Sequence, residues 1–191
     1  MPDRNNRSDL PIHPVLNERY SPRSFKDRDV TEPELELVLE AARWAPSSMN
    51  EQPWRFLVAR KGGVGHAELL ATLAPSNALW ADKAPILILT MVHRTFKRNG
   101  LPNIHAWHDL GGAVAMLTVQ ATALGMGIHQ LGGFSATTAR AHFQVPEDLD
   151  VVSVLALGHP GHSDALPEGL REREERRSPR SGLADLVRFG K

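Results

Sequence analysis

The chain has 191 residues, 41% of them hydrophobic and 23% charged, a balance that suits one globular domain or a protomer completed by a second copy. Its 22 basic and 22 acidic side chains cancel, so no global field draws it to nucleic acid or to an anionic membrane. With no cysteine, disulfides, thiolate nucleophiles, iron–sulfur clusters and thiolate zinc sites are excluded, and any redox chemistry belongs to a bound cofactor.

Residues 1–16 read as an arm. Their polar opening, MPDRNNRSDLPIHP, lacks the apolar region of a secretory signal, and the apolar run APILILTMV is about half the length of a membrane helix, so a cytoplasmic protein is expected. The spacing of Thr31 and Glu34 predicts a capping box, with Pro33 in the first turn and an apolar stripe of Leu35, Val38, Leu39 and Ala42; Pro46 stops this helix. WRFLVAR alternates as a strand and ends at Gly62-Gly63, HAELLATLA is a short helix, and PILILTMV is a strand buried on both faces. After an irregular basic loop over 93–105, a long helix starts near Ala106, with Leu110, Val114, Leu117, Ala121 and Leu124 on one stripe and Gly125 just past its end. Gly111, Gly112, Ala113 and Ala115 leave part of its surface small enough for close approach of another helix. MGIHQLGGF is a strand entering a glycine turn, SATTARAHFQ a helix capped by Ser135, and DVVSVLALG the last strand. A charged tail closes the chain, with an apolar patch at Leu183, Leu186 and Val187 that needs a surface to dock on. The elements form an α+β pattern without internal repeats.

Three stretches carry polar groups in arrangements that ask for a ligand. Arg19, Ser21 and Arg23 alternate along one side of an extended segment, a cluster of donors suited to a phosphate; the alternative is a solvated loop whose arginines pair with Glu18 or Asp27. Ser47, Ser48, Asn50 and Gln52 lie in a loop between two prolines and could read a heterocycle, or could form an ordinary helix stop and turn. Asn77 is a further reader or a turn residue, and the glycines of HQLGGF allow backbone to approach a flat ligand, as a plain hairpin would also require. No G-x-G-x-x-G or P-loop pattern is present, so side chains must hold any phosphate. The histidines near Asp109 (His105, His108) and the pair His159 and His162 lack metal-binding spacing, and no metal is expected. The run REREERR interleaves opposite charges and reads as a solvated helix face, not a nucleic-acid stripe.

RYSPRSF, APSSMNEQPWRFLVA, SNALWADKAPILIL, HDLGGAVAMLTVQATALGMGIHQLGGF, VLALGHPG and RRSPRSGLADLV follow one another in the order seen in the nitroreductase family, and the chain from Arg19 to Val187 resembles that family. The resemblance implies an α+β fold with a central, mostly antiparallel sheet flanked by helices. It also implies an obligate-type homodimer in which a C-terminal tail, from about residue 163, packs on the partner, so that residues 17–191 form one domain. By the same resemblance the cofactor is FMN. Arg19, Tyr20, Ser21 and Arg23 would hold its phosphate and ribityl chain, and Pro46, Ser47, Ser48, Asn50 and Gln52 would reach the flavin across the dimer interface. Asn77 and the turn Leu131, Gly132 and Gly133 would border the ring, and Arg180, with Arg177 beside it, would complete the phosphate site. Tyr20 stands where the family often has a basic residue, and the segment 93–107 is shorter than in larger members, leaving the pocket cover and the substrate open.

The implied activity is hydride transfer from NADH or NADPH to the flavin and on to a nitroaromatic, quinone or similar small oxidant by a ping-pong mechanism, with the chemistry on FMN rather than on a protein nucleophile. The alternative is a flavin-binding sensor, storage or flavin-fragmenting module without NAD(P)H turnover.

Overall fold

Four strands form the centre of the computed structural model, which describes residues 7–176 and 178–190. They are β1 (Trp54–Arg60), β2 (Ile86–His93), β3 (Gly127–Leu131) and β4 (Leu149–Gly158), in the order β1-β2-β4-β3 with every neighbouring pair antiparallel. β2 is central and apolar on both faces, as its sequence predicts. Ile86, Ile88 and Val92 enter one core, and Leu87, Leu89 and Met91 enter the other. A bulge opposite Thr90 and Met91, which pair with Ser153 and Val151, leaves Val152 of β4 without a partner in register. The extra residue re-phases β4, so that Val151 and Val154 face the same core despite their odd spacing.

The first core is closed by α2 (Glu32–Arg43) and α5 (Ala106–Ala123). In α2 the expected capping box forms: Glu34 N–H donates to Thr31 Oγ1 at 3.4 Å and Thr31 N–H donates to Glu34 Oε2 at 2.8 Å. Such a cap stabilises a helix by about 1 kcal/mol. Leu35, Val38 and Ala42 are buried against α5. α5 presents Leu110, Val114, Leu117 and Ala121 to the core and leaves Gly111, Ala115 and Met116 exposed on its outer side. Gly125 follows at φ +72°, the left-handed conformation that suits glycine at a helix end.

The second core lies under α3 (His66–Ala71), α4 (Pro75–Ala81) and α6 (Ala136–His142). Asn77 therefore sits in a helix rather than in the turn its neighbours predict; Pro75 opens α4 at its first position, and Trp80 and Ala81 anchor it in the core. The arm is also partly ordered. α1 (Pro14–Glu18) spans the expected boundary at residues 16 and 17, and Ser8 N–H donates to Asn17 Oδ1 at 3.0 Å. The basic loop closes into a small hairpin through a Thr95–Pro102 bridge.

The charged run near the C-terminus forms α7 (Glu168–Glu175), followed by the short α8 (Leu183–Leu186). One residue departs from the solvated face that the sequence predicts: Glu174 is buried and bound to Arg23 of the same chain. Among the described residues, no helix is long and apolar enough to cross a membrane.

Candidate functional site

The segment after α1 runs extended, and alternate residues take opposite sides. Pro22 and Ser24 are buried, whereas Ser21 is exposed and Arg23 half-buried. The buried side is pinned to the end of β4. Lys26 N–H donates to His159 O at 2.8 Å, Gly161 N–H to Ser24 O at 2.8 Å, and Ser24 Oγ to His162 O at 2.6 Å. Two glycines make the fit tight. A Cβ on Gly127 would lie 2.6 Å from Pro22 Cγ, and one on Gly161 would lie 2.6 Å from Ser24 Oγ. The polar side is thereby held outward.

Arg19 feels the charge of Arg180, which comes from the opposite end of the chain. Burial lowers the pKa of Arg19, and the charge of Arg180 lowers it further. Arg23 pairs neither with Glu18 nor with Asp27. Its backbone N–H donates to Glu174 Oε2 at 2.9 Å, and its guanidinium Nη1 lies 3.9 Å from the same oxygen. Burial and the charge of Arg173 lower the pKa of Arg23, while Glu174 raises it. Tyr20 is half-buried between these arginines in sequence.

His129 of β3 supports this segment from below. Its Nδ1 lies 3.0 Å from Pro22 O, which can only accept, so Nδ1 carries the proton. Burial, then the charge of Arg23, lower its pKa to about 4, so the ring is neutral near pH 7. It also meets the Ser21 backbone and packs on the Trp80 ring, with centroids 4.5 Å apart. Trp80 belongs to α4, the helix that carries Asn77, so the arginine segment and the next group share one support.

That next group is Asn77 with the glycine turn. Asn77 Nδ2 donates to Gly133 O at 3.0 Å, and Ala74 N–H donates to the same oxygen at 2.9 Å. A Cβ on Gly133 would meet Asn77 Nδ2 at 2.7 Å, whereas one on Gly132 would meet nothing within 4 Å. Leu131 points into the core at 2% exposure, so a ligand would meet the glycines that follow it instead.

The third stretch, 46–52, stands apart, because its polar contacts run to the α5 side of the sheet. Ser48 N–H donates to Asp109 Oδ2 at 2.9 Å, Gln52 N–H to Ser47 Oγ at 3.0 Å, and Lys97 N–H to Glu51 Oε1 at 2.5 Å. Met49, Asn50 and Gln52 all have positive φ, at 56°, 54° and 49°, which concentrates backbone strain in one short loop. Pro46 and Asn50 are exposed and Ser47 and Ser48 half-buried. Asp109, read in the sequence only as a neighbour of histidines, is the buried group that anchors this loop. Among the described residues, no group of three or more histidines and carboxylates could hold a metal ion. Arg177 lies outside the described residues.

Sequence reasoning missed the parts played by His129, Asp109 and Glu174. Each acts through a partner far away in the chain, and no local pattern marks it.

Comparison with known proteins defines the class. The model of the nitroreductase family matches residues 16–78. A solved oxidoreductase containing FMN superposes with a TM-score of 0.92 at 32% identity, covering 98% of this chain and 96% of that one. A nitroreductase family protein from Clostridium difficile superposes with a TM-score of 0.72 at 28% identity, covering 93% and 96%. The FMN reductase [NAD(P)H] of Bacillus subtilis is 24% identical over 167 residues, 78% of this chain and 66% of that protein. The chain belongs to the nitroreductase family.

Proposed function

We propose that this chain is an NAD(P)H-dependent FMN oxidoreductase that works as a homodimer. The observation that carries this reading is the pinned segment that holds Ser21 and Arg23 outward beside Arg19, a cation that also feels the charge of Arg180, because such a group of donors makes a site for an anion. The 5′-phosphate of FMN suits these donors, the open hydroxyl of Ser21 and the half-buried Arg23 among them. The residues fit the flavin ring as well. Asn77 and the Gly132–Gly133 turn offer a polar edge that is closed to a side chain at Gly133. Tyr20 lies along the ribityl chain, and Arg180 completes the phosphate site.

Pro46, Ser47, Ser48, Asn50 and Gln52 reach the flavin held mainly by the other protomer. This accounts for a strained, anchored loop that lies on the α5 side of its own chain. The dimer draws support from the exposed small face of α5 and from Leu183, Leu186, Val187 and Phe189, which are 65%, 69%, 45% and 90% exposed. Because α7 packs on its own chain's Arg23, the exchanged part of the tail begins beyond α7. Residues 17–191 then form a single domain completed by that exchange.

When bound, FMN supplies hydride acceptance from NADH or NADPH and onward reduction of a small oxidant such as a nitroaromatic or quinone. The arginines orient the cofactor through its phosphate, and the glycine turn lets backbone donors approach the ring edge where reduction places negative charge. Neutral His129 holds the arginine segment without adding a charge near neutral pH. An open ring face shared by the nicotinamide and the oxidant leads to ping-pong kinetics.

Adding NADPH or NADH to the FMN-loaded protein without oxygen tests the reading. Bleaching of the visible flavin band that reverses with menadione or nitrofurazone is expected. Absence of bleaching with both nucleotides overturns it in favour of a flavin-binding module without turnover.

A further inference from the structure

Glu174 stands out in α7. The residues on either side of it are exposed, yet its own side chain is only 4% exposed. A buried carboxylate is tolerated only where it is paired, and this one accepts the backbone N–H of Arg23 at 2.9 Å and lies 3.9 Å from the Arg23 guanidinium. The backbone contact matters more than the ion pair, because it fixes the segment that carries Arg19, Ser21 and Arg23 rather than one flexible side chain. The far side of the contact is equally fixed. Ser163 Oγ donates to Glu175 Oε1 at 2.6 Å, and Arg171 Nε lies 3.9 Å from Asp164 Oδ1. Arg180 follows the end of α7 by five residues in sequence, and its charge is felt at Arg19.

Glu174 thus joins α7 to the segment that carries Arg19, Ser21 and Arg23. It also places a negative charge beside Arg23, which feels the charge of Arg173 as Arg19 feels that of Arg180. Placed beside an anion site, a carboxylate disfavours the ligand directly, so its value there lies in assembling the cations beforehand.

We propose that Glu174 is a positioning residue for the phosphate clamp, holding the backbone of Arg23 and the start of the tail so that Arg19 and Arg180 meet the same phosphate. The proposal rests on the reading that these two arginines grip the phosphate of FMN.

The test compares two ligands that differ only in that phosphate. FMN and riboflavin are titrated into apo-protein of the wild type and of Glu174→Ala, Glu174→Gln and Glu174→Asp. For Glu174→Ala, the FMN Kd rises about tenfold or more while the riboflavin Kd stays within about twofold, as loss of a charge-assisted hydrogen bond at the clamp requires. Glu174→Gln keeps an oxygen to accept the Arg23 N–H and retains most of the preference for FMN. Glu174→Asp withdraws the acceptor by one methylene and gives an intermediate loss for FMN alone, a readout that stands even where the alanine variant does not fold. Equal weakening for both ligands shows a role in holding the fold only and overturns the proposal. Unchanged FMN affinity, or a glutamine variant as weak as the alanine one, overturns it too. A wild type with no preference for FMN over riboflavin removes the phosphate reading itself, and the proposal with it.

Discussion

Arg19 and Arg180 lie close enough for the charge of one to lower the pKa of the other, an effect second only to burial. Bringing two cations together costs Coulomb energy that a fold does not spend without an opposing term, here the packing of Pro22 against Gly127 and the pairing of Arg23 with Glu174. An anion placed between them turns the repulsion into attraction.

The loop 46–52 depends on a single buried carboxylate. Asp109→Ala leaves the Ser48 N–H without its acceptor and releases three residues from positive φ. A stability loss of about 1.5–3 kcal/mol is expected in urea denaturation, the range for a hydrogen bond to a charged group. A variant as stable as the wild type would show that the loop holds its shape without Asp109.

Glycine substitutions separate close packing from open space. Gly127→Ala drives a Cβ to 2.6 Å from the Pro22 ring and, because proline cannot swing away, should cost about 1–3 kcal/mol and weaken FMN binding by shifting the arginine segment. Gly133→Ala meets the end of the Asn77 side chain, which can move, so the loss is that of one hydrogen bond, about 1 kcal/mol. Gly132→Ala meets nothing in the protein and should leave stability unchanged, so any loss of FMN affinity there reports contact with the flavin. Thermal or urea denaturation in parallel with FMN titration gives all three results.

Acid should destabilise the fold through its buried imidazoles. His129 has its pKa lowered from 6.5 to about 4, so the unfolded chain takes up a proton that the folded chain refuses across that interval. Its contribution to stability is complete above pH 6.5 and is lost as pH falls through about 4, with a slope of at most about 1.4 kcal/mol per pH unit. Burial lowers His66 and His159 in the same sense. His129→Asn keeps a donor for Pro22 O but does not titrate, so its stability should depend less on pH over this interval. An unchanged slope would place the acid sensitivity elsewhere.

Much of this architecture is legible in the sequence because its signals are local. The capping box of Thr31 and Glu34, the doubly apolar run of β2 and the stripe of α5 each lie within one element, and each appears where the pattern places it. α4 escapes notice because seven residues beginning at a proline look like the turn before a strand. The positive φ values of Met49, Asn50 and Gln52 are invisible because none of the three is glycine, the residue that normally announces such a conformation. Glu174 is indistinguishable from its neighbours in REREERR until Arg23, far earlier in the chain, is folded against it. Asp109 likewise reads as a companion of His105 and His108 until the serine loop reaches it. Ligand-facing residue types are thus visible in sequence, whereas the groups that hold them depend on tertiary pairing.

Titration of FMN into apo-protein of the wild type, Arg19→Ala, Arg180→Ala and the double variant tests the central claim most directly. Each single change is expected to weaken binding by about 1.5–3 kcal/mol, and the double variant by less than the sum, because both cations act on one phosphate. FMN affinity unchanged in both single variants would contradict the account.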